Sequence, residues 1–271
     1  MFNIDFKNKP TNFFEISTFS KRKKLDNYQL LKQAFDQKVL PEDNKELLMN
    51  FINIFKDQKN FQSQVYQDIC AIFVIGENFD KTFLEFGATD GFNLSNSYTL
   101  ENDLKWEGVL SEPSPQWHES LKKNRINSKI ITECIWKETG KRLDFFMSDF
   151  GELSTLNDFI DNDLDSMPGN TKQRKESGKL TSVNTISLND VIKEYFNNKC
   201  PSYISIDTEG SEYEILKAFN LDDYRPKLFT IEHNYTDNQS KIDELLTSNG
   251  YLRIFKKLTA FDAWYIPLEN L

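Results

Sequence analysis

Lys81-Thr82-Phe83-Leu84-Glu85-Phe86-Gly87-Ala88-Thr89-Asp90-Gly91 is the stretch from which the fold can be read. Phe83, Leu84 and Phe86 form an apolar run that carries one acid, Glu85, and breaks at Gly87. Such a run predicts a buried parallel strand that enters a tight turn. Gly87 has no Cβ, so a ligand can approach its backbone, and Gly91 repeats the signal four residues later. Turns of this kind lie at the carboxyl ends of strands in open α/β sheets, where ligands bind.

Downstream, residues 106–111 read as a second strand that ends on Glu112 and is stopped by Pro113 and Pro115. Residues 128–136 form a β-branched third strand, and 143–147 and 183–188 are short strand candidates. Buried strands follow at 202–207 and 228–232. Helical patterns at 98–104, 116–124, 189–196, 212–219 and 241–249 separate the strands, the last ending on Gly250. Strands at 251–257 and 260–266 share a short link and are therefore antiparallel. Strands that alternate with helices predict an α/β fold with a mostly parallel sheet, edged here by a carboxyl-terminal antiparallel hairpin.

Upstream, residues 64–75 read as a helix with Val65, Ile69, Ile72 and Phe73 on its apolar face. Leu25, Tyr28, Leu31 and Phe35 recur at helical spacing, and so do Leu47, Leu48, Phe51, Ile54 and Phe55 after Pro41. The chain thus divides into a helical extension, 1–60, and a main domain, 61–271. Residues 148–182 stand apart as an insertion or lid, rich in Ser, Asp, Asn and Gly, with a basic cluster at Lys172, Arg174, Lys175 and Lys179.

Composition narrows the function classes. The chain has 271 residues, 38% of them hydrophobic, and 23 Phe, enough for a sizeable core. A net charge of −9 argues against a nucleic-acid partner held by a basic surface. Cys70, Cys134 and Cys200 lie far apart without metal spacing, as expected of reduced thiols in a cytoplasmic protein. The apolar run 69–75 is too short to span a bilayer, and the first residues lack the order of a signal peptide. Abundant Asn, Lys, Ile and Phe point to an AT-rich coding genome, most simply a bacterial one.

Glu85-Phe-Gly-Ala-Thr-Asp-Gly91 resembles the first motif of S-adenosylmethionine-dependent methyltransferases. Ser63-Gln64, Gln67-Asp68, Asn93, Ser95-Asn-Ser97, Leu100-Glu101, Trp106-Glu-Gly108, Glu112-Pro113 and Ile204-Ser-Ile-Asp-Thr-Glu-Gly-Ser-Glu-Tyr-Glu-Ile-Leu216 stand around it in order. The set resembles the FkbM-type methyltransferases, which O-methylate sugars and polyketide-type natural products. The resemblance spans about residues 61–266 and implies a Rossmann-like class I methyltransferase sheet. It also implies S-adenosylmethionine as cofactor, with Glu85, Gly87, Ala88, Asp90, Gly91, Asn93, Ser95, Glu112 and Pro113 around it. Position alone suggests that Glu112, at a strand end, accepts both ribose hydroxyls, as an acid does in dinucleotide-binding sheets. Glu85 and Asp90 lie near the expected ammonium of the cofactor, and Cys134-Ile-Trp136 borders either the adenine or the core.

A neutral hydroxyl must lose its proton to a base or be acidified by a metal before it accepts a methyl group. Asp207, Glu209, Glu232 and His233 end neighbouring strands and can converge. Asp207, Glu209 and His233 are the expected catalytic residues, His233 because its ordinary pKa suits a base near neutral pH. The same three could instead hold a divalent cation. The insertion at 148–182 would cover the substrate side, with Ser154-Thr155 at the pocket and the basic cluster meeting a phosphate. The resemblance implies O-methylation of a sugar or nucleotide-linked sugar, and with the AT-rich composition it suggests bacterial surface polysaccharide biosynthesis. A secondary-metabolite O- or N-methyltransferase, a non-catalytic binding subunit and a homo-oligomer are the open alternatives.

Overall fold

A computed structural model describes residues 27–58, 60–161 and 168–268. The elements, in chain order, are α1 (Asn27–Asp36), α2 (Lys45–Asp57), α3 (Gln67–Ile75), β1 (Thr82–Phe86), α4 (Tyr98–Asn102), β2 (Glu107–Ser111), α5 (His118–Asn124), β3 (Lys129–Ile131) and β4 (Cys134–Trp136). They continue with β5 (Arg142–Ser148), β6 (Thr155–Leu156), α6 (Pro168–Glu176), β7 (Gly178–Ser187), α7 (Leu188–Tyr195), β8 (Tyr203–Ile206), α8 (Glu212–Lys217), β9 (Leu228–Glu232), α9 (Asn238–Ser248), β10 (Tyr251–Ile254) and β11 (Asp262–Pro267).

Apolar side chains on both faces of β1 force it inside a sheet. Leu84 faces Val109 of β2 on one flank and Ile204 of β8 on the other, both parallel. The seven-stranded sheet runs β10-β11-β9-β8-β1-β2-β3. β11 is antiparallel to β9 and β10, so the expected terminal hairpin forms, with β11 inserted between the other two. From β1 the chain builds outward through β2 and β3, then returns to add β8 and β9 on the other side. The switch point therefore lies between β1 and β8, and a cleft opens at their carboxyl ends.

Side-chain alternation along the strands assigns a core to each face. Leu84, Phe86, Val109, Ile204 and Ile206 pack with α7, α8, α9 and the second sheet. Phe83, Leu110, Tyr203 and Trp264 pack with α1 to α5. The amino-terminal helices share that second core: Phe51 lies 5.7 Å from Phe73 and 5.1 Å from Phe255, ring centre to ring centre. Residues 1–26 of the expected extension lie outside the described residues.

Three local readings change. The helix expected from residue 64 begins at Gln67, because Tyr66 adopts φ +72° and Ser63 bridges to Leu94. The third strand divides: β3 stays in the main sheet, while β4 pairs in parallel with β7, Cys134 opposite Thr185. β-branching marks a strand but does not choose its partner.

The polar segment also contains more regular structure than its composition suggests. β5 and β7 pair antiparallel from Arg142 opposite Asn184 to Ser148 opposite Gly178, and α6 precedes β7. Its side chains are polar because the outer part of β7 faces solvent. Residues 162–167 of this segment lie outside the described residues.

Gly87 sets the closest approach in the sheet. A Cβ built there would lie 1.8 Å from the carbonyl oxygen of Asp207, and its φ is +80°. Gly140 has the same φ of +80° with nothing within 4 Å of such a Cβ. Gly140→Ala is therefore expected to cost only the conformational term, about 1–2 kcal/mol. Gly87→Ala adds backbone overlap and is expected to cost about 3 kcal/mol or more, lowering Tm by about 6–12 °C. Thermal unfolding of the two variants checks the ordering, and equal losses would refute it.

Candidate active site

The turn after β1 is built around protein contacts. Gly87 and Ala88 donate their amides to the Ser111 carbonyl, at 3.1 and 3.2 Å. The missing Cβ of Gly87 admits the Asp207 backbone, and that of Gly91 admits Leu121 and Arg125, whose atoms would lie 2.5 and 2.6 Å from it. The two glycines thus draw β8 and α5 against the turn. Gly87, Ala88, Asn93 and Ser95 line the cleft, whereas Gly91 and Asp90 lie behind it. Asp90 shapes the loop instead: Oδ1 accepts from the Phe92 and Asn93 amides, both at 2.8 Å, and Oδ2 from Asn93 Nδ2 at 2.6 Å.

Alternation on β1 turns Glu85 toward the face of Phe83, where α4 and α5 cover it. Its Oε1 accepts from the Asn96 amide at 2.8 Å and Oε2 from Ser95 Oγ at 3.0 Å. The Ser97 hydroxyl donates to the same oxygen at very short range. Arg125 stands 3.7 Å away, buried, with Nε 2.6 Å from Glu101 Oε2 and Nη2 2.8 Å from Ser97 Oγ. Sequence reading missed Arg125, since a cation just past a helix end looks like any surface residue. Glu85 lines the cleft while holding the 95–97 loop beneath it. Asn96 donates Nδ2 to Ser205 Oγ at 2.9 Å, and its buried Oδ1 has no partner.

Glu112 stands at the end of β2, as expected, beside Pro113 in the cleft wall. Its Oε2 accepts from the Thr89 amide at 2.8 Å and Oε1 from the Ser114 amide at 2.7 Å. Burial pushes its pKa up to about 7 against the pull of these two amides, and nearby Asp207 adds to the rise. Each oxygen retains a lone pair, enough to receive two hydroxyls. Cys134 and Ile135 line the same cleft, while Trp136 packs against Phe159.

Opposite lie Asp207, Glu209 and Glu232, whose carboxylate oxygens fall within 4.8 Å of one another. Burial raises Asp207 to about 6 and Glu232 well above its ordinary range, each by desolvation first. Two acids this close share one proton, with Glu232 keeping it and Asp207 accepting. Glu209 accepts from Arg174 Nη2 at 2.8 Å. Arg174 is fully buried and also donates to the Leu153 and Ile160 carbonyls, at 2.6 and 3.1 Å. Thr155 Oγ1 donates to the Glu209 carbonyl at 3.0 Å. The insertion is thereby tied directly to the cleft, and Ser154 lines it. Lys172 and Lys175 instead pair with Glu176 and Asp161.

His233 does not line this cleft; it borders a smaller cavity beside Glu209 and Glu232. Successive side chains at the end of β9 turn opposite ways, so Glu232 takes the cleft and His233 does not. His233 Nδ1 accepts from the Tyr235 amide at 3.0 Å, and Nε2 lies 3.5 Å from Arg253. Burial and the Arg253 charge push its pKa down to about 4, so the ring is neutral at pH 7. The residues able to hold a hard divalent cation are therefore Asp207, Glu209 and Glu232, an all-oxygen set.

No curated protein matches the chain. Among solved structures, precorrin-6y C5,15-methyltransferase from Geobacter metallireducens GS-15 is similar at 11% identity, covering 77% of this chain and 89% of that one, TM-score 0.41. A Staphylococcus aureus structure named for caffeoyl-CoA O-methyltransferase is similar at 12% identity, over 89% and 98% of the two chains, TM-score 0.43. The family model described as Methyltransferase FkbM domain matches residues 85–253, from the first cleft acid into β10. No described helix is long and apolar enough to cross a membrane. A match over more than half the sequence, on a Rossmann-like class I sheet with its glycine turn at the switch point, shows that the chain belongs to the FkbM-domain family of S-adenosylmethionine-dependent methyltransferases.

Proposed function

We propose that this enzyme transfers a methyl group to a hydroxyl of a sugar-like acceptor, in a bacterial cytoplasm and in the service of surface polysaccharide biosynthesis. The observation that carries the transfer to oxygen is the Asp207–Glu232 pair, set across the cleft from Glu112. The methyl donor fits the residues present, since Glu112 presents two unspent lone pairs where a vicinal diol can reach them. S-adenosylmethionine, when bound, supplies a methyl group already activated on a sulfonium.

The protein's own task is alignment and proton removal. Glu112 anchors the ribose hydroxyls, and the loop held by Glu85 and Asp90 fixes the opposite end. Asp207, ionised above about pH 6, accepts the acceptor's hydroxyl proton as the new oxygen–carbon bond forms and the carbon–sulfur bond breaks. Glu232, already protonated, donates to Asp207 and steers its free lone pair toward the acceptor. Arg174 holds Glu209 at the rim. In this reading residues 61–271 carry the reaction, and His233 supports β9 from behind.

Asp207→Asn is expected to lower methyl transfer about 10²-fold or more while cofactor affinity stays within about threefold. A sugar panel read by mass, with calorimetry for the cofactor, measures both; near-normal turnover would sink the assignment. If a divalent cation bound by the three carboxylates replaces the base, chelation abolishes turnover and Mg²⁺ or Mn²⁺ restores it.

The raised pKa of Glu112 has a sign. The ionised form receives the ribose, so affinity for S-adenosylhomocysteine is expected to fall as pH drops from 8 to 6, through the value of about 7. Glu112→Gln is expected to weaken binding about tenfold at pH 8 and to flatten that dependence. Calorimetry at both pH values decides, and an unchanged slope in the variant would remove Glu112 from the ribose role.

A further inference from the structure

We propose that Arg174 is a positioning residue for the methyl donor's site, although it lines no part of the cleft; this rests on the reading above that S-adenosylmethionine lies on Glu112. It acts through the stretch 151–156, which crosses from the donor wall to the acceptor wall. Gly151, Ser154 and Leu156 line the cleft along the way.

At the donor end the stretch lies on the short turn Pro115–Trp117, directly after Glu112-Pro113. A Cβ on Gly151 would lie 2.2 Å from Trp117 Cζ2, so the two backbones are held close. Gln116 Nε2 donates to Ser154 Oγ at 3.3 Å and to the Ser148 carbonyl at 3.4 Å. Leu156 pairs with Phe145, and both line the cleft. At the acceptor end Thr155 Oγ1 donates to the Thr208 and Glu209 carbonyls, at 3.3 and 3.0 Å.

Arg174 fixes this crossing from behind. Its buried guanidinium donates Nε to the Leu153 carbonyl at 2.6 Å and Nη2 to Glu209 Oε2 at 2.8 Å. Leu153 belongs to the crossing stretch and Glu209 to the acceptor wall. One planar fork therefore sets the distance between them, which a point charge does not. A second observation agrees. Glu209 adopts φ +58°, which costs a residue with a Cβ about 1–2 kcal/mol. Such a residue keeps that conformation where its surroundings over-determine it. Thr155 on the Glu209 carbonyl and Arg174 on its carboxylate supply that constraint, both from the insertion. Loss of the fork lets Glu209 relax and lets the stretch move off Trp117. A substitution on the acceptor side thereby loosens the donor's site.

The test is calorimetry on the full chain with S-adenosylhomocysteine and with S-adenosylmethionine, well below the unfolding temperature of each variant. Arg174→Met is expected to weaken both about tenfold or more, by the same factor. Arg174→Lys keeps the charge and loses the fork, and is expected to weaken both about threefold or more. Thr155→Val, a milder change that removes one donor, is expected to weaken both about threefold and serves if Arg174→Met does not fold. Arg225→Met removes a cation that lies 4.5 Å over the Tyr251 ring, outside the cleft, and is expected to leave both affinities within about twofold.

Unchanged affinity in Arg174→Met with a lowered stoichiometry overturns the proposal, because Arg174 would then support only the folded fraction. A shift in favour of S-adenosylmethionine, which carries a sulfonium charge that S-adenosylhomocysteine lacks, also overturns it, as does full recovery in Arg174→Lys. Either result would assign the effect to charge alone. Equal weakening in Arg225→Met would assign it to general destabilisation and overturn the proposal too. Failure of the unaltered chain to bind S-adenosylhomocysteine overturns the methyl-transfer reading itself.

Discussion

A backbone carbonyl occupies the place where residue 87 would otherwise carry its side chain. That contact fixes how far β1 can stand from the residue that follows β8, and the cleft is the space beyond it. Because the chain reverses its winding between these two strands, the turns after β1 and β8 diverge on opposite sides of one seam. Glu112 is reached from one side, through β2, and Asp207, Glu209 and Glu232 from the other. A glycine is thus required here first for sheet geometry.

The acids that meet across the seam are costly to bury, and two arginines carry much of the compensation. Arg125 lies between Glu85 and Glu101, with the Ser95 and Ser97 hydroxyls and the Gly91 and Ser97 carbonyls accepting from its remaining donors. It thereby turns a buried carboxylate into a rigid post for the 95–97 loop. Arg174 does the equivalent for Glu209, but from the insertion, so the second sheet and the cleft stand or fall together. Desolvation penalises an unpaired buried charge far more than a paired one. Asp207 and Glu232 have no such cation within their group, and they relieve the strain by sharing a proton.

Much of this was legible in the residues. The apolar run before Gly87, the alternation of strands and helices and the terminal hairpin all follow from burial and periodicity. So did Glu112, because an acid directly after a buried strand and before a proline has few other places to point. The rest failed for identifiable reasons. Sequence spacing does not say which way a side chain turns at a strand end, so His233 was expected in the cleft beside Glu232, and only Glu232 lines it. It does not reveal a cation's partner, so Arg125 went unnoticed and Arg174 was read as a phosphate contact. It also underrates sheet in polar segments, which hid the outer half of β7.

The position of His233 outside the cleft alters the chemistry expected there. An imidazole there would have been a single base titrating near neutrality. Its place outside, beside Arg253, instead keeps it neutral. Two carboxyls with one proton form a different device, able to accept a proton while remaining hydrogen-bonded to each other. The same device makes the cleft responsive to charge: any cation that enters lowers the cost of ionising both acids, whereas any anion raises it. The place of these acids at one edge of the seam follows from the approach of Gly87 to the Asp207 backbone.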